Sequence, residues 1–258
     1  MIDLSCITPD IYRLKIPFSN IYTSVFIIRT PDGTVVFDTA SKDADAQNYI
    51  IPALEQLGLV ADQIFISHNH GDHSGGLEAL ARHYSEATVI TSNCTLQQAY
   101  RGRTLCPEDG QLLCGVLQVV CIPGHTPDAM ALFDTRTGVL LSGDCLQAYG
   151  IFGAGPWGCA IRSVAVHFEA IEKLRGMAIQ TLVTAHDYHP YRAVIEGREI
   201  GSFLDTCIQA LLEIRDIILA NPALDDQQLE CLCNTRPLPR IDQRVIAGLR
   251  KAIAEKTI

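Results

Sequence analysis

Short runs dense in β-branched and aromatic residues open the chain: IYRLKIPF at 11–18, IYTSVFIIRT at 21–30 and TVVFDTA at 34–40. Such runs predict strands, and Pro31-Asp32-Gly33 between the last two predicts a hairpin turn. Over 43–57 the period changes. Ala46, Tyr49, Ile50, Ala53, Leu54 and Leu57 recur at helical spacing, which predicts an amphipathic helix stopped by Gly58. QIFIS at 63–67 predicts a buried strand that runs straight into the polar HNHGDHSGG at 68–76, with a helix over 76–84 behind it.

The pattern then repeats in outline. ATVITS predicts a strand, 93–100 a short helix, and GVLQVVCIP a strand ending at Gly124-His125. MALFDTRTGVLLSGD predicts a hairpin turning at 135–138 and ending at Asp144. Residues 145–162, rich in glycine and aromatics, predict a loop; 163–174 a helix; TLVTAHD a final strand. Nothing strand-like is expected beyond His186. Residues 192–220 and 241–256 carry helical stripes such as Leu204, Cys207, Ile208, Leu211 and Leu212, punctuated by Asn221-Pro222 and Pro237-Leu238-Pro239. Two successive strand-and-helix halves predict an α/β fold with two sheets and outer helices. The helical tail either completes that fold or caps its site.

Composition narrows the class. With 258 residues and 48% apolar content the chain can bury one large core. A formal net charge of -9, with no dense Lys/Arg run, argues against nucleic acid as a partner. No apolar stretch reaches membrane-spanning length, so no membrane partner is expected. The first residues show no signal-peptide pattern, and the expectation is a cytoplasmic protein. Ten cysteines occur without a Cys-x-x-Cys pair, which fits free, mostly buried thiols. Cys231-Leu-Cys233 reads as helix packing rather than a metal site.

Chemistry concentrates at strand ends. His68, His70, Asp72 and His73 follow the strand at 63–67; His125, Asp144 and His186 each follow another. A lone histidine after a strand usually satisfies a hydrogen bond. Five histidines and two aspartates at four strand ends instead predict a metal cluster, because loops after strands are where α/β proteins build sites. In an irregular turn His68 and His70 can face one pocket while Asp72 and His73 face its neighbour, which makes room for two ions.

HNHGDHSGG resembles the His-x-His-x-Asp-His signature of the metallo-β-lactamase superfamily. The resemblance extends over most of 11–187: FDTA at 37–40, GHTPD at 124–128, SGD at 142–144 and AHD at 185–187 are similar to the family's other elements, in the same order. It implies an α/β, four-layer αββα sandwich of two mixed β-sheets with outer helices, a catalytic domain over 1–190 and a helical C-terminal extension over 191–258. It implies two divalent metal ions, zinc first and iron or manganese as alternatives. His68, His70 and His125 match the ligands of one ion; Asp72, His73 and His186 match those of the second; Asp144 matches the carboxylate between them. Asp128 departs from the family, which often has glycine there, and this puts the shape of that loop in question. Asp38 matches a residue that supports the site by hydrogen bonds or is structural. Cys145 reads as a core or supporting residue rather than a ligand.

The implied reaction is hydrolysis of a small ester, thioester or lactone by a hydroxide bridging the two metals, with Asp72 and Asp144 as catalytic carboxylates. The tail and the His186-Asp187-Tyr188 context resemble the glyoxalase II and lactonase branches. Tyr149, Phe152, Trp157 and Arg162 in the loop after Asp144, with Tyr188 and His189 after the last ligand, either line a small-molecule substrate pocket or pack the loop; Tyr149 is the candidate donor to an oxyanion. A homodimer is compatible with the sequence. Two other functions stay open: a di-iron redox protein acting on oxygen or nitric oxide, and a non-catalytic metal-binding sensor.

Overall fold

The computed structural model describes residues 2–153, 158–236 and 240–258. Thirteen strands among them form two mixed sheets. The first contains β1 (Leu4–Thr8), β2 (Ile11–Phe18), β3 (Ile21–Thr30), β4 (Gly33–Phe37), β5 (Gln63–Phe65), β6 (Thr88–Ile90) and β7 (Thr104–Leu105), in that spatial order. Pairing is antiparallel from β1 to β4 and parallel from β4 to β7. The second contains β8 (Leu112–Leu113), β9 (Leu117–Cys121), β10 (Met130–Asp134), β11 (Val139–Gly143), β12 (Thr181–Thr184) and β13 (Val194–Glu196) in the reverse order, with β11 and β12 parallel and the other pairs antiparallel.

The two-residue period of a strand distributes the core. In β3, Phe26 and Ile28 face the second sheet and pack with Phe37, Phe65, Val119, Leu132 and Leu141; Val25 and Ile27 face outward into a helical layer. That layer holds α1 (Asp43–Asp45), a π-helical segment (Ala46–Ile50), α2 (Ile51–Leu57), α3 (Gly71–Ser74) and α4 (Leu77–His83), with α5 (Cys94–Ala99) at its edge. On the far side α6 (Val164–Arg175) and α7 (Glu199–Ala220) cover the second sheet. A separate cluster joins α7 to α8 (Asp226–Asn234) and α9 (Gln243–Ala254) through Leu211, Ile214, Leu229, Val245 and Leu249. The layers run helix, sheet, sheet, helix, the αββα sandwich the sequence predicts.

Two expectations change. The predicted helix over 43–57 has a π-helical segment in its middle, where the Ile51 amide reaches back to the Ala46 carbonyl. Pro52 follows directly and has no N–H to continue the regular ladder, so the register shifts ahead of it. Beyond His186 the chain does form a strand. β13 pairs antiparallel with β12 through Val194, Ile195 and Glu196, and the helix predicted from 192 begins only at Glu199. The second sheet therefore reaches past residue 190 into the segment expected to be helical.

Candidate metal centre

The ligand candidates sit where strands end. β5 stops at Phe65, and Ser67 leads into His68, His70 and the short α3 that carries Asp72 and His73. The segment after β4 lies directly against this turn. Asp38 and Ala40 take left-handed backbone conformations, φ 66° and 60°. A Cβ on Gly75 would lie 2.1 Å from the Ser41 carbonyl oxygen, and one on Gly76 2.2 Å from that of Thr39, so only the Gly-Gly pair lets the two segments meet. His125 follows β9, Asp144 follows β11 and His186 follows β12.

All seven side chains converge in two adjacent groups, His68–His70–His125 and Asp72–His73–Asp144–His186, each with its donor atoms within 4.8 Å of one another. In the first, His70 Nδ1 lies 2.9 Å from His125 Nε2. In the second, His73 Nε2 is 3.4 Å from both Asp72 Oδ2 and Asp144 Oδ2, and His186 Nε2 is 3.4 Å from Asp72 Oδ2 and 3.3 Å from Asp144 Oδ1. Asp144 Oδ2 is also 3.9 Å from His125 Nε2, which places this carboxylate between the groups.

The histidines are held by their far sides. His73 Nδ1 donates to Asp38 Oδ2 at 2.6 Å, His186 Nδ1 to the Tyr22 carbonyl at 2.5 Å, and His125 Nδ1 to the Ala160 carbonyl at 3.1 Å. Ser67 Oγ donates to Asp38 Oδ2 at 2.9 Å and can accept from His68 Nδ1 at 3.0 Å. These bonds fix the tautomers and turn the Nε2 atoms inward. The inward Nε2 atoms of His68, His73 and His186 are buried and make no well-formed hydrogen bond among the described residues. Three buried ring nitrogens without a partner would be costly on their own. A divalent ion resolves that, and donors about 2.1 Å from a tetrahedral ion stand about 3.4 Å apart, which is the spacing in the second group. The residues therefore fit the two ions the family implies.

Electrostatics agree. Burial alone would depress His73, but the carboxylates of Asp72, Asp144 and Asp38 outweigh it and hold its pKa well above the usual value. Burial opposes charge on His186 too, and Asp144 overrides it, raising the pKa to about 9. Asp72 and Asp144 move the opposite way: burial would raise them, but the neighbouring imidazoles keep both below the ordinary carboxylate range. Burial lowers His125 to about 4 and His68 well below its usual value, leaving neutral imidazoles ready to donate a lone pair.

The site opens into a cavity of about 590 Å³ lined by His70, Asp72, His125, Asp144 and His186. Its other walls are Phe18 and Ile21 beside the β2–β3 turn, Gln147, Ile151 and Arg162 of the loop, and residues of the tail from Glu230 to Arg244. The tail thus caps the site as well as completing the fold.

The structure places the expected substrate contacts as follows. Residues 149–152 pair with 187–189: Ile151 bridges Tyr188, His189 N donates to the Gly150 carbonyl at 2.8 Å, and Phe152 N to that of Asp187 at 2.9 Å. Alternation along this pairing sends Ile151 into the cavity. Phe152 instead packs against His189, with ring centroids 3.4 Å apart and the planes tilted by 35°, under the Arg192 guanidinium, and neither ring lines the cavity. Tyr149 gives its hydroxyl to Glu213 Oε1 at 2.7 Å and does not line the cavity. Tyr188 is fully buried and donates to Asp144 Oδ1 at 2.8 Å, which makes it a support of that carboxylate rather than a substrate contact. Trp157 lies outside the described residues.

Gln147 went unnoticed in the sequence. It is 2% exposed, its Nε2 lies 3.1 Å from the Asp144 carbonyl and 3.0 Å from His125 Nδ1, and its Oε1 accepts from Ala160 N at 2.6 Å. Its place three residues after Asp144 was the only signal.

Residues 20–93 match the family model described as the metallo-beta-lactamase superfamily, and that segment contains HNHGDHSGG. Over that segment the chain is similar to the metallo-β-lactamase superfamily. A solved member of that name, the metallo-beta-lactamase from Pontibacter korlensis, superposes with a TM-score of 0.63 over 81% of this chain and 98% of its own, at 19% identity, a likeness of fold. Among curated proteins, YobT of Bacillus subtilis is 34% identical over 123 residues, 39% of this chain and 53% of its own. A hydroxyacylglutathione hydrolase of Photobacterium profundum is 30% identical over 146 residues, 54% of this chain and 53% of its own. The chain spans about half the length of these curated relatives. No described helix is long and apolar enough to cross a membrane.

Proposed function

We propose that the protein is a hydrolase of a small ester, thioester or lactone that works with two divalent metal ions, zinc first among them. The observation that carries this is the pair of facing donor groups, three imidazoles in one and two imidazoles with two carboxylates in the other, sharing Asp144 at the floor of one cavity. His68, His70 and His125 would hold one ion, Asp72, His73 and His186 the other, with Asp144 between. When bound, such ions supply Lewis acidity and a nucleophilic water at neutral pH.

The chain's own residues do the rest. Tyr188 and the Gln147 amide hold Asp144 from its carboxylate and carbonyl ends. Thr23 Oγ1 lies 3.3 Å from Asp72 Oδ2 and steadies the second carboxylate, the group placed to take a proton from the attacking water. Phe18, Ile21 and Ile151 give the cavity an apolar side that excludes bulk water and receives the carbon skeleton of a small organic substrate. Thioesters rank first among the three substrates because of the similarity to hydroxyacylglutathione hydrolase.

Zinc-loaded protein assayed on an ester, a thioester and a lactone is expected to turn over at least one, and to lose that activity with a chelator. Turnover of none, with two metals bound per chain, would remove the hydrolase reading and leave the di-iron redox protein and the sensor.

A further inference from the structure

Arg162 lines the same cavity as the ligand cluster. Its Nε is buried and has no hydrogen-bond partner among the described residues, and its guanidinium forms no ion pair with any of them. A guanidinium keeps its charge at any relevant pH, so its buried Nε–H without an acceptor is costly unless something else supplies one. The acids on the same wall are already engaged. Asp242 caps α9, accepting from Arg244 N and Val245 N at 2.9 and 3.2 Å, and binds the Arg244 guanidinium with its other oxygen at 2.8 Å. Glu230 Oε2 accepts from Gln243 Nε2 at 2.9 Å. Arg244 itself adds positive charge beside Arg162.

The backbone that carries Arg162 is fixed relative to the metal cluster. Arg162 N and Ser163 N both donate to the Gly124 carbonyl, at 2.8 and 3.0 Å, one residue before His125. From the opposite side α9 presses on the Arg162 carbonyl, so closely that a Cβ on Gly248 would lie 2.0 Å from that oxygen. Two bonds and one close contact therefore hold the residue at a set distance from His125. This is the rigid support that a binding group needs and a solvated surface arginine lacks.

We propose that Arg162 binds a carboxylate on the substrate, so that the enzyme acts on esters or thioesters whose acyl or leaving part carries a free acid. The inference rests on the hydrolase reading for the reaction, and on Arg162 alone for the charge. The planar fork receives the two carboxylate oxygens while the scissile carbonyl lies toward the ligand cluster. The apolar side formed by Phe18, Ile21 and Ile151 takes the chain between them. A neutral substrate of the same length forfeits the bidentate pair and leaves the guanidinium unsatisfied.

The test uses zinc-loaded protein and two readouts. Succinyl thioester and its neutral methyl ester are compared in wild type, Arg162→Gln and Arg162→Lys. Wild type is expected to favour the free acid in kcat/KM by about tenfold or more, the scale of one charge-assisted hydrogen bond. R162Q is expected to erase that preference by raising KM for the free acid far more than for the methyl ester, and R162K to restore part of it. Equal loss on both substrates, or no preference in wild type, overturns the proposal. The second readout needs no turnover: calorimetry with glutarate and with its monomethyl ester. The dianion is expected to bind about tenfold tighter to wild type and equally to R162Q. Equal affinities in wild type overturn the carboxylate site whatever the activity, whereas selective binding without hydrolysis keeps it and rejects only the reaction.

Discussion

Asp128 shows what a single departure from a family pattern does. Its Oδ2 accepts from Asn69 N at 3.0 Å and from Asn93 Nδ2 at 2.8 Å, while Ser92 Oγ donates to its carbonyl at 2.7 Å. One side chain thus ties the loop after β9 to the turn between His68 and His70 and to the start of α5. Asp128→Ala is expected to cost about 1–3 kcal/mol through the unpaired groups it leaves and to loosen the His68–His70 turn. Its measurable sign is faster metal loss on dialysis than wild type; unchanged retention would show that the turn holds its shape alone. At this scale the seven ligand candidates were legible because histidines and acids at strand ends are chemically conspicuous. Gln147, and the inward face of Arg162, were not. Both depend on which way an irregular loop turns, and the pairing of 149–152 with 187–189 decides that from a distance in sequence. The same pairing sent Tyr149, Phe152 and His189 away from the cavity.

Among elements, long periodic segments were readable and short ones were not. β2 and β3 span the runs that β-branched and aromatic residues marked, and α6 and α9 fall within one or two residues of their predicted ends. β7, β8 and β13 have two, two and three residues, too few to show a period, and they exist because a neighbouring strand edge offers hydrogen bonds. The tail's part in the site was equally hidden, since helical stripes say which face is apolar but not what it covers. α9 can be probed at Gly248, where it meets Arg162. Gly248→Leu is expected to lower the melting temperature and kcat/KM while both metals stay bound, as read by calorimetry and metal analysis. A variant as stable as wild type would mean that the helix does not press on this loop.

For the molecule as a whole, burial of ionisable groups ties stability to pH. His167 on α6 is fully buried, neither ring nitrogen has a hydrogen-bond partner among the described residues, and burial lowers its pKa to about 3, against about 6.5 for an unfolded histidine. The unfolded chain therefore takes up a proton that the folded one refuses. The stability associated with this group is fully present above about pH 6.5 and is lost as pH falls toward 3. Urea unfolding of ion-free protein between pH 6.5 and 4.5 should show a steeper loss for wild type than for His167→Gln, by about one proton; parallel slopes would place a charge or a partner on this histidine in the fold. The layered architecture was legible because two sheets each need two apolar faces and the chain has 48% apolar residues to supply them. What the cavity accepts was not, because its walls come from six stretches spread from Phe18 to Arg244.

The central claim is that two ions act together at the site built on His68, His70, Asp72 and His73. Ion-free protein titrated with zinc tests it most directly, with bound metal counted by mass spectrometry and hydrolysis of the preferred substrate followed in the same samples. The account predicts activity that rises to a plateau at two equivalents of zinc per chain and is abolished in His186→Ala. Full activity at one equivalent, or hydrolysis that survives in the metal-free protein, would contradict it.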